Sequence, residues 1–165
     1  MKLFRDLNFL TALAIILLTI ILSAGVSYHW FQFSFLIGPL TLSHWLSWIG
    51  ALFIAIYTPT YTILKRRHPR RTKDLLRIHT FGNLLAFMLV SIHYFQMTPH
   101  GTGEALFITV SILVVTGFIS RFQLLKKIGK YNLIKPHINK FIHVSITLTF
   151  YIVIVVHILQ HFSTP

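Results

Sequence analysis

Residues 78–96 read IHTFGNLLAFMLVSIHYFQ, an apolar run that has a histidine near each end and no Lys, Arg, Asp or Glu. Residues 141–160, FIHVSITLTFYIVIVVHILQ, repeat this design. Each run is long enough to cross a bilayer as a helix, which takes roughly 17–25 residues. An ionisable side chain inside such a span is costly, so the histidines are candidates for function.

Three further apolar segments, at about 8–27, 39–64 and 104–120, bring the number of predicted spans to five. Apolar residues make up 55% of the 165-residue chain and charged residues 11%, against about 25% charged in a soluble domain. This composition excludes a soluble enzyme, a disordered chain and a coiled coil. We therefore predict an all-α integral membrane protein, a five-span helical bundle forming a single domain over residues 1–165. Pro59 should kink the second span.

The first apolar run follows Lys2 and Arg5, as a signal peptide would, but it is longer than the usual apolar core of one, so we interpret it as a retained helix. Residues 30–36 are rich in aromatic side chains and are expected at the membrane interface. Gly38 and Pro39 should separate this stretch from the second span.

The charges predict the topology. Every Lys and Arg lies before the first span, between the second and third, or between the fourth and fifth. The positive-inside rule then puts the N-terminus in the cytoplasm and the C-terminus outside, in a cell or inner membrane. The net charge of +12 is interpreted as a topology signal and as contact with anionic membrane lipid. Docking of a specific partner is the alternative, and nucleic acid is not expected.

The four histidines of the third and fifth spans form two pairs with the same spacing. His79 and His93 are fourteen positions apart, and so are His143 and His157. Fourteen residues of α-helix turn about 1400°, close to four full turns, and rise roughly 21 Å. Each pair therefore shares one helix face, with one histidine near each membrane surface. Because the third and fifth spans run in the same direction in this topology, His79 should be level with His143 and His93 with His157.

Two imidazoles from facing helices can supply both axial ligands of a haem iron. Cysteine is absent, which excludes disulfides, iron–sulfur clusters and the covalent attachment of c-type haem. We therefore predict two stacked b haems between the third and fifth helices, with these four histidines as iron ligands. Polar packing between helices, or a metal-transport site, is the alternative explanation of the same histidines.

Five further residues are candidates for contact with the haems. Gly82 would let a haem ring approach the helix backbone beside His79, and Ala86 and Phe150 lie midway between the paired histidines, where they could fill the gap between two haems. Ordinary large-against-small packing explains them equally well. Arg77 and Lys140 lie near the cytoplasmic pair and could neutralise haem propionates, or act only as topology charges.

The remaining histidines are weaker candidates. His29, His44, His100 and His161, with Glu104, are expected on the outer side, where they could bind a metal or accept protons. His68 and His137 are expected in solvated cytoplasmic loops. The uncharged donors available to the outer haem are Tyr94, Gln96, His100 and Gln160.

Residues 77–160 resemble the ferric reductase-like transmembrane domain, the family that includes the NADPH oxidase membrane domain. The resemblance rests on Ile78-His79-Thr80-Phe81-Gly82 with His93-Tyr94, and on Phe141-Ile142-His143 with His157-Ile158-Leu159. It implies electron transfer through two b haems from the cytoplasmic to the outer side. The family's sixth span, flavin domain and nicotinamide domain have no counterpart here, so we expect a separate cytoplasmic electron-donor protein or partner subunit.

Two other functions stay open. Respiratory-type cytochrome b has the same ligand pattern on alternate spans, so the chain is alternatively a quinone-reactive membrane anchor of a multi-subunit oxidoreductase. A histidine-lined transporter or assembly factor is disfavoured, because no span carries a carboxylate apart from Glu104 at a boundary and hard cations prefer oxygen ligands.

Overall fold

The computed structural model describes residues 6–97, 101–124 and 136–163 of the chain, without the side chains of residues 136 and 161–163. The elements are α1 Leu7–Ser27, β1 Leu36–Ile37, β2 Leu40–Thr41, α2 Leu42–Arg67, a 3₁₀ turn Pro69–Arg71, α3 Thr72–Gln96, α4 Thr102–Phe122 and α5 Pro136–Ser163. In this described part, five helices are long and apolar enough to cross a membrane. The predicted helical, multi-pass membrane architecture is thus confirmed at this level.

The described chain divides into two compact units, one up to Thr98 and one from Pro99. In the first unit, α3 packs against both α1 and α2. Gly50 of α2 lies close against the α3 backbone, where a Cβ atom would lie 2.7 Å from the Ala86 carbonyl oxygen. Small residues of this kind let helix backbones pack closely in membranes, where van der Waals contact replaces the hydrophobic effect between helices.

The structure shows what sets the first residue of α1 and of α2. Asp6 caps α1, its side chain accepting a hydrogen bond from the Asn8 backbone N–H at 3.0 Å. The second predicted span was placed from about residue 39, but α2 begins at Leu42. Gly38 has a φ of +64° and turns the antiparallel hairpin in which Leu36 pairs with Thr41. Further along, α2 continues through Pro59 to Arg67.

The aromatic stretch folds back on α1 in part. The Phe31 ring lies against Gly25, at a distance that leaves no room for a Cβ atom there. Trp30 is 72% exposed. The Trp45 indole N–H donates to the Ile37 carbonyl at 2.9 Å, which ties the hairpin to the first turn of α2. Exposed tryptophan beside a span end suits an interfacial position.

In the second unit, α4 packs against α5. Glu104 lies in the first turn of α4 and Arg121 in its last turn, the positions where these charges complement the helix dipole. Gln123, in the left-handed conformation, ends the helix, and its N–H bonds back to Ser120. Asn139 of α5 is buried. Its amide donates to the Thr116 carbonyl at 3.1 Å and to the Ser120 hydroxyl.

Large apolar side chains on the outside of the helices are consistent with a lipid-facing surface. Ile20 of α1 is 59% exposed and Ile152 of α5 is 66% exposed. A water-soluble protein rarely exposes continuous apolar faces of this extent.

Candidate cofactor-binding histidines

All four candidate ligands lie within long helices: His79 and His93 on α3, and His143 and His157 on α5. Each is half-buried. Because α3 and α5 are continuous between the paired histidines, the helix geometry assumed from the spacing holds within each helix. His79 and His93 share one face of α3, and His143 and His157 share one face of α5.

His79 is held by aromatic stacking on α2. Its ring lies 4.5 Å from the Tyr61 ring, centroid to centroid, with only 15° between the planes. The Tyr57 ring lies further away, at 6.4 Å. Asn83, one turn along α3, has its amide nitrogen 3.4 Å from His79 Nδ1. The edge of the ring, which bears the nitrogens, is therefore next to an amide.

His93 also contacts α2. Its ring centroid lies 4.6 Å from that of His44, and the two imidazoles are tilted by 60°. His44 Nδ1 is in turn 2.7 Å from the Thr41 hydroxyl. The structure thus brings His44, expected only as one of several outer-side histidines, into contact with a candidate ligand.

The residues between His79 and His93 contact α2 as well. The Phe53 ring lies directly over Gly82 and occupies the space that a Cβ atom would need. Ala86 is 3% exposed, and its carbonyl faces Gly50. The space left by the missing side chain at Gly82 is thus filled by the Phe53 ring of α2. Ala86 takes part in the contact between α2 and α3.

His143 is held by α4 through a hydroxyl group. Its Nδ1 lies 2.9 Å from Thr116 Oγ1. At the next residue of α4, a Cβ atom on Gly117 would lie 3.3 Å from His143 Cε1, so the glycine lets the imidazole lie close against the α4 backbone. Thr116 is buried, and its carbonyl accepts the hydrogen bond from Asn139.

His157 has a similar partner at the other end of α4. Its Nδ1 lies 3.2 Å from Thr102 Oγ1. The same hydroxyl donates to Gln160 Oε1 at 2.7 Å. Gln160, expected from the sequence only as a donor for the outer haem, therefore also acts as an acceptor beside a candidate ligand.

The other predicted haem-contacting residues have these surroundings. Phe150 is 1% exposed and packs edge-on against Tyr151. The Arg77 guanidinium lies 6.0 Å from the centre of the Phe81 ring. Both Arg77 and Lys140 are exposed, so each can reach an anionic group.

The remaining histidines among the described residues do not belong to a metal-binding cluster. In the parts of the chain that the structure describes, no three His, Cys, Asp or Glu side chains come together as a metal site. His29, His68 and His137 are exposed, and so is Glu104. His100 and the His161 side chain lie outside the described residues.

The sequence did not single out several residues that contact these histidines or hold their partners: Tyr61 and Asn83 beside His79, Thr102 beside His157, and Thr116, Gly117 and Asn139 around His143. A signal for Thr116 was available, because Thr102 and Thr116 are fourteen positions apart, the same spacing as the two histidines they contact. Histidine spacing alone does not reveal this match, because the fourth span contains no histidine.

Comparison of the chain with family models, with curated proteins and with solved structures gave no match. Function must therefore be argued from the histidines and their surroundings.

The histidine environments are compatible with haem ligation. An iron–imidazole bond lies in the plane of the imidazole ring, so the stacking of His79 on Tyr61 covers the ring face and not its edge. The group beside the two nitrogens of His79 is the Asn83 amide, at the long distances of 3.4 and 3.5 Å. At His143 and His157 the hydroxyl partner is on Nδ1. Partners of this kind, on the nitrogen that does not bind metal, orient the imidazole in most metal sites.

Proposed function

We propose that this protein transfers electrons across a membrane through two b haems. His79 and His143 would ligate one haem, and His93 and His157 the other. Phe150 would lie along a haem face, and Arg77 and Lys140 near the propionates on the cytoplasmic side. Gly82 and Ala86, the other two residues expected beside the haems, are instead covered by α2. Bound haem supplies a one-electron carrier, and ligation by two histidines closes the iron to oxygen and favours electron transfer.

The observation that carries the proposal is the matched spacing of four half-buried histidines on two apolar helices. A buried imidazole in a span is expensive, and two such pairs with equal spacing are poorly explained by packing alone. The hydroxyl partners at His143 and His157 add independent support, since they orient the rings as ligand-supporting groups do.

The direction of transfer follows from the proposed topology. With the N-terminus in the cytoplasm, electrons would enter at the His79 and His143 end from a separate donor protein or partner subunit and leave at the His93 and His157 end. The function resembles that of the ferric reductase-like family. In the quinone-reactive alternative the same four ligands serve, and a quinol exchanges electrons at one end.

The decisive measurement is the haem content of protein purified after haem-replete expression, by the pyridine haemochrome method. Two haems per chain are expected. His79→Ala and His143→Ala should lose the same haem, identified by its midpoint potential, and His93→Ala and His157→Ala the other. His137→Ala is the control, because His137 is exposed on α5 and should leave both haems in place.

Protein without a Soret band, or a single haem that His93→Ala leaves unchanged, would overturn the two-haem proposal. Loss of different haems from His79→Ala and His143→Ala would refute the ligand pairing. Reduction of the haems by a quinol, blocked by a quinone-site inhibitor, would favour the membrane-anchor function over a ferric reductase-like one.

A further inference from the structure

His143 and His157, the two candidate ligands of α5, each contact one threonine of α4 through the Nδ1 atom. Thr116 Oγ1 is 2.9 Å from His143 Nδ1, and Thr102 Oγ1 is 3.2 Å from His157 Nδ1. A neutral imidazole has a proton on one nitrogen and a lone pair on the other, and only the lone pair binds a metal. The direction of these two hydrogen bonds therefore decides which nitrogen of each histidine can be a ligand.

At Thr116 the direction follows from counting protons. The hydroxyl has one proton, and two carbonyl oxygens that can only accept lie near it: that of Ile112 at 2.8 Å and that of Leu113 at 3.2 Å. If the hydroxyl donates to Ile112, its lone pair accepts from a proton on His143 Nδ1, and two hydrogen bonds form. If it donates to His143 instead, only one forms. The first arrangement is favoured, because an unmade hydrogen bond in a buried site costs about 1–3 kcal/mol.

At Thr102 the proton has a different acceptor but the same consequence. The hydroxyl donates to Gln160 Oε1 at 2.7 Å. Its lone pair is then directed at His157 Nδ1, which must carry a proton to complete the bond. The two sites thus reach the same tautomer with unrelated acceptors, a backbone carbonyl in one and a side-chain amide in the other.

The hydroxyl at Thr116 is itself held in place. Asn139 donates to the Thr116 carbonyl, and Gly117 lets the His143 ring approach the α4 backbone. Both the threonine and the ring it contacts are therefore positioned by neighbours on the same two helices.

We propose that Thr116 and Thr102 are positioning residues, which hold His143 and His157 with the proton on Nδ1 and the lone pair on Nε2, ready to bind iron. The inference rests on the proposed function, since it names the residues that prepare two of the four haem ligands. The hydrogen bond to Nδ1–H also makes the imidazole a stronger donor to a metal at Nε2.

Thr109 provides a matched control on the same helix. It is buried, and its hydroxyl donates to the Ala105 carbonyl at 2.7 Å, as Thr116 donates to Ile112. Within the described residues it bonds to no histidine. Thr109→Val therefore removes a buried threonine hydroxyl with its helical hydrogen bond but leaves the contacts of His143 and His157 unchanged.

The test combines two measurements on the full chain in lipid. The first is the ¹⁵N NMR spectrum of haem-free protein labelled at histidine, which distinguishes a protonated from an unprotonated ring nitrogen; His143→Gln assigns the signals. The second is the affinity for added haem, with the midpoint potential of each haem. Thr116→Val is compared with Thr116→Ser, which keeps the hydroxyl, and with Thr109→Val.

We expect His143 to carry its proton on Nδ1 in the wild type and to become a tautomer mixture in Thr116→Val. That variant should bind the haem of His143 about 10–100-fold more weakly. Where this haem is still bound, its midpoint potential should be higher than in the wild type. Thr116→Ser should restore all three properties, and Thr109→Val should resemble the wild type. Thr102→Val should act in the same way on His157, which keeps the inference testable if Thr116→Val does not fold.

A His143 proton on Nε2 in the wild type would overturn the inference, and so would equal behaviour of Thr116→Val and Thr109→Val. Wild-type protein that shows the Nδ1–H tautomer but takes up no haem would instead overturn the proposed function, leaving the threonine's effect on the tautomer standing.

Discussion

The helix pairs α2–α3 and α4–α5 each hold two histidines with the same spacing, but they hold them by different means. On α3, the His79 ring stacks face-to-face on Tyr61, and His93 lies beside the imidazole of His44. On α5, His143 and His157 are each held at one ring nitrogen by a threonine hydroxyl of α4. Stacking fixes the plane of a ring but leaves its tautomer open, whereas a hydrogen bond to Nδ1 fixes both.

The same contrast appears in Asn139, which is buried, and Asn83, which is half-buried. Asn139 makes two hydrogen bonds across to α4. Asn83 has its side-chain oxygen buried with no hydrogen-bond partner among the described residues, and its nitrogen makes only long contacts to His79, at 3.4 and 3.5 Å. The α4–α5 pair is therefore joined by satisfied polar groups, and the α2–α3 pair mainly by close packing and ring contacts.

The largest expected difference is between glycine substitutions in the two helix pairs. Gly50→Ala puts a methyl group against the Ala86 backbone carbonyl, which cannot move without shifting α3, and should cost about 1–3 kcal/mol of stability. Gly117→Ala meets only the His143 side chain and should cost clearly less. SDS-induced unfolding from mixed micelles, followed by circular dichroism, measures both. Equal losses would mean that α2 and α3 are not packed backbone-to-backbone.

The asparagines should respond in opposite directions. Asn139→Leu removes two hydrogen bonds between α4 and α5 and should lower the free energy of unfolding by about 1–2 kcal/mol, since interhelical bonds in membranes average about 0.6 kcal/mol and reach about 1.7. Asn83→Leu removes an amide oxygen that gains no bond, so haem-free protein should be as stable as the wild type or more so. The same SDS titration applies. A larger loss from Asn83→Leu than from Asn139→Leu would contradict the comparison.

The smallest effect is expected at the stacked ring. Tyr61→Leu removes the aromatic partner of His79 and should cost about 0.5–1.5 kcal/mol beyond the lost packing area. Tyr61→Phe keeps the ring and serves as the control for the hydroxyl. Thermal unfolding of the haem-free protein would detect the difference between the two variants. If Phe and Leu were equivalent at this position, stacking would not be what holds His79.

Much of the architecture could be predicted from the sequence, because membrane crossing depends on the length and apolarity of a local segment. All five predicted spans coincide with helices that are long and apolar enough to cross a membrane. However, α3 begins six residues and α5 five residues before the predicted spans, so Lys73, Arg77 and Lys140 lie within helices rather than in loops. The start of α2 was misplaced by three residues, since the hairpin that delays it depends on pairing between Leu36 and Thr41. Such pairing is a contact between two segments, and neither segment shows it alone.

For the candidate site, too, features that depend on one segment could be predicted, and contacts between segments could not. The amino-acid sequence by itself determined that four histidines sit two by two on single faces of apolar helices, because helix periodicity converts spacing into direction. Only the tertiary structure decided what each imidazole touches: Tyr61 and His44 from α2, Thr116 and Thr102 from α4. Those partners come from other helices, and which side chains meet depends on how each helix is rotated about its axis, a property set by packing rather than by the spacing within one segment.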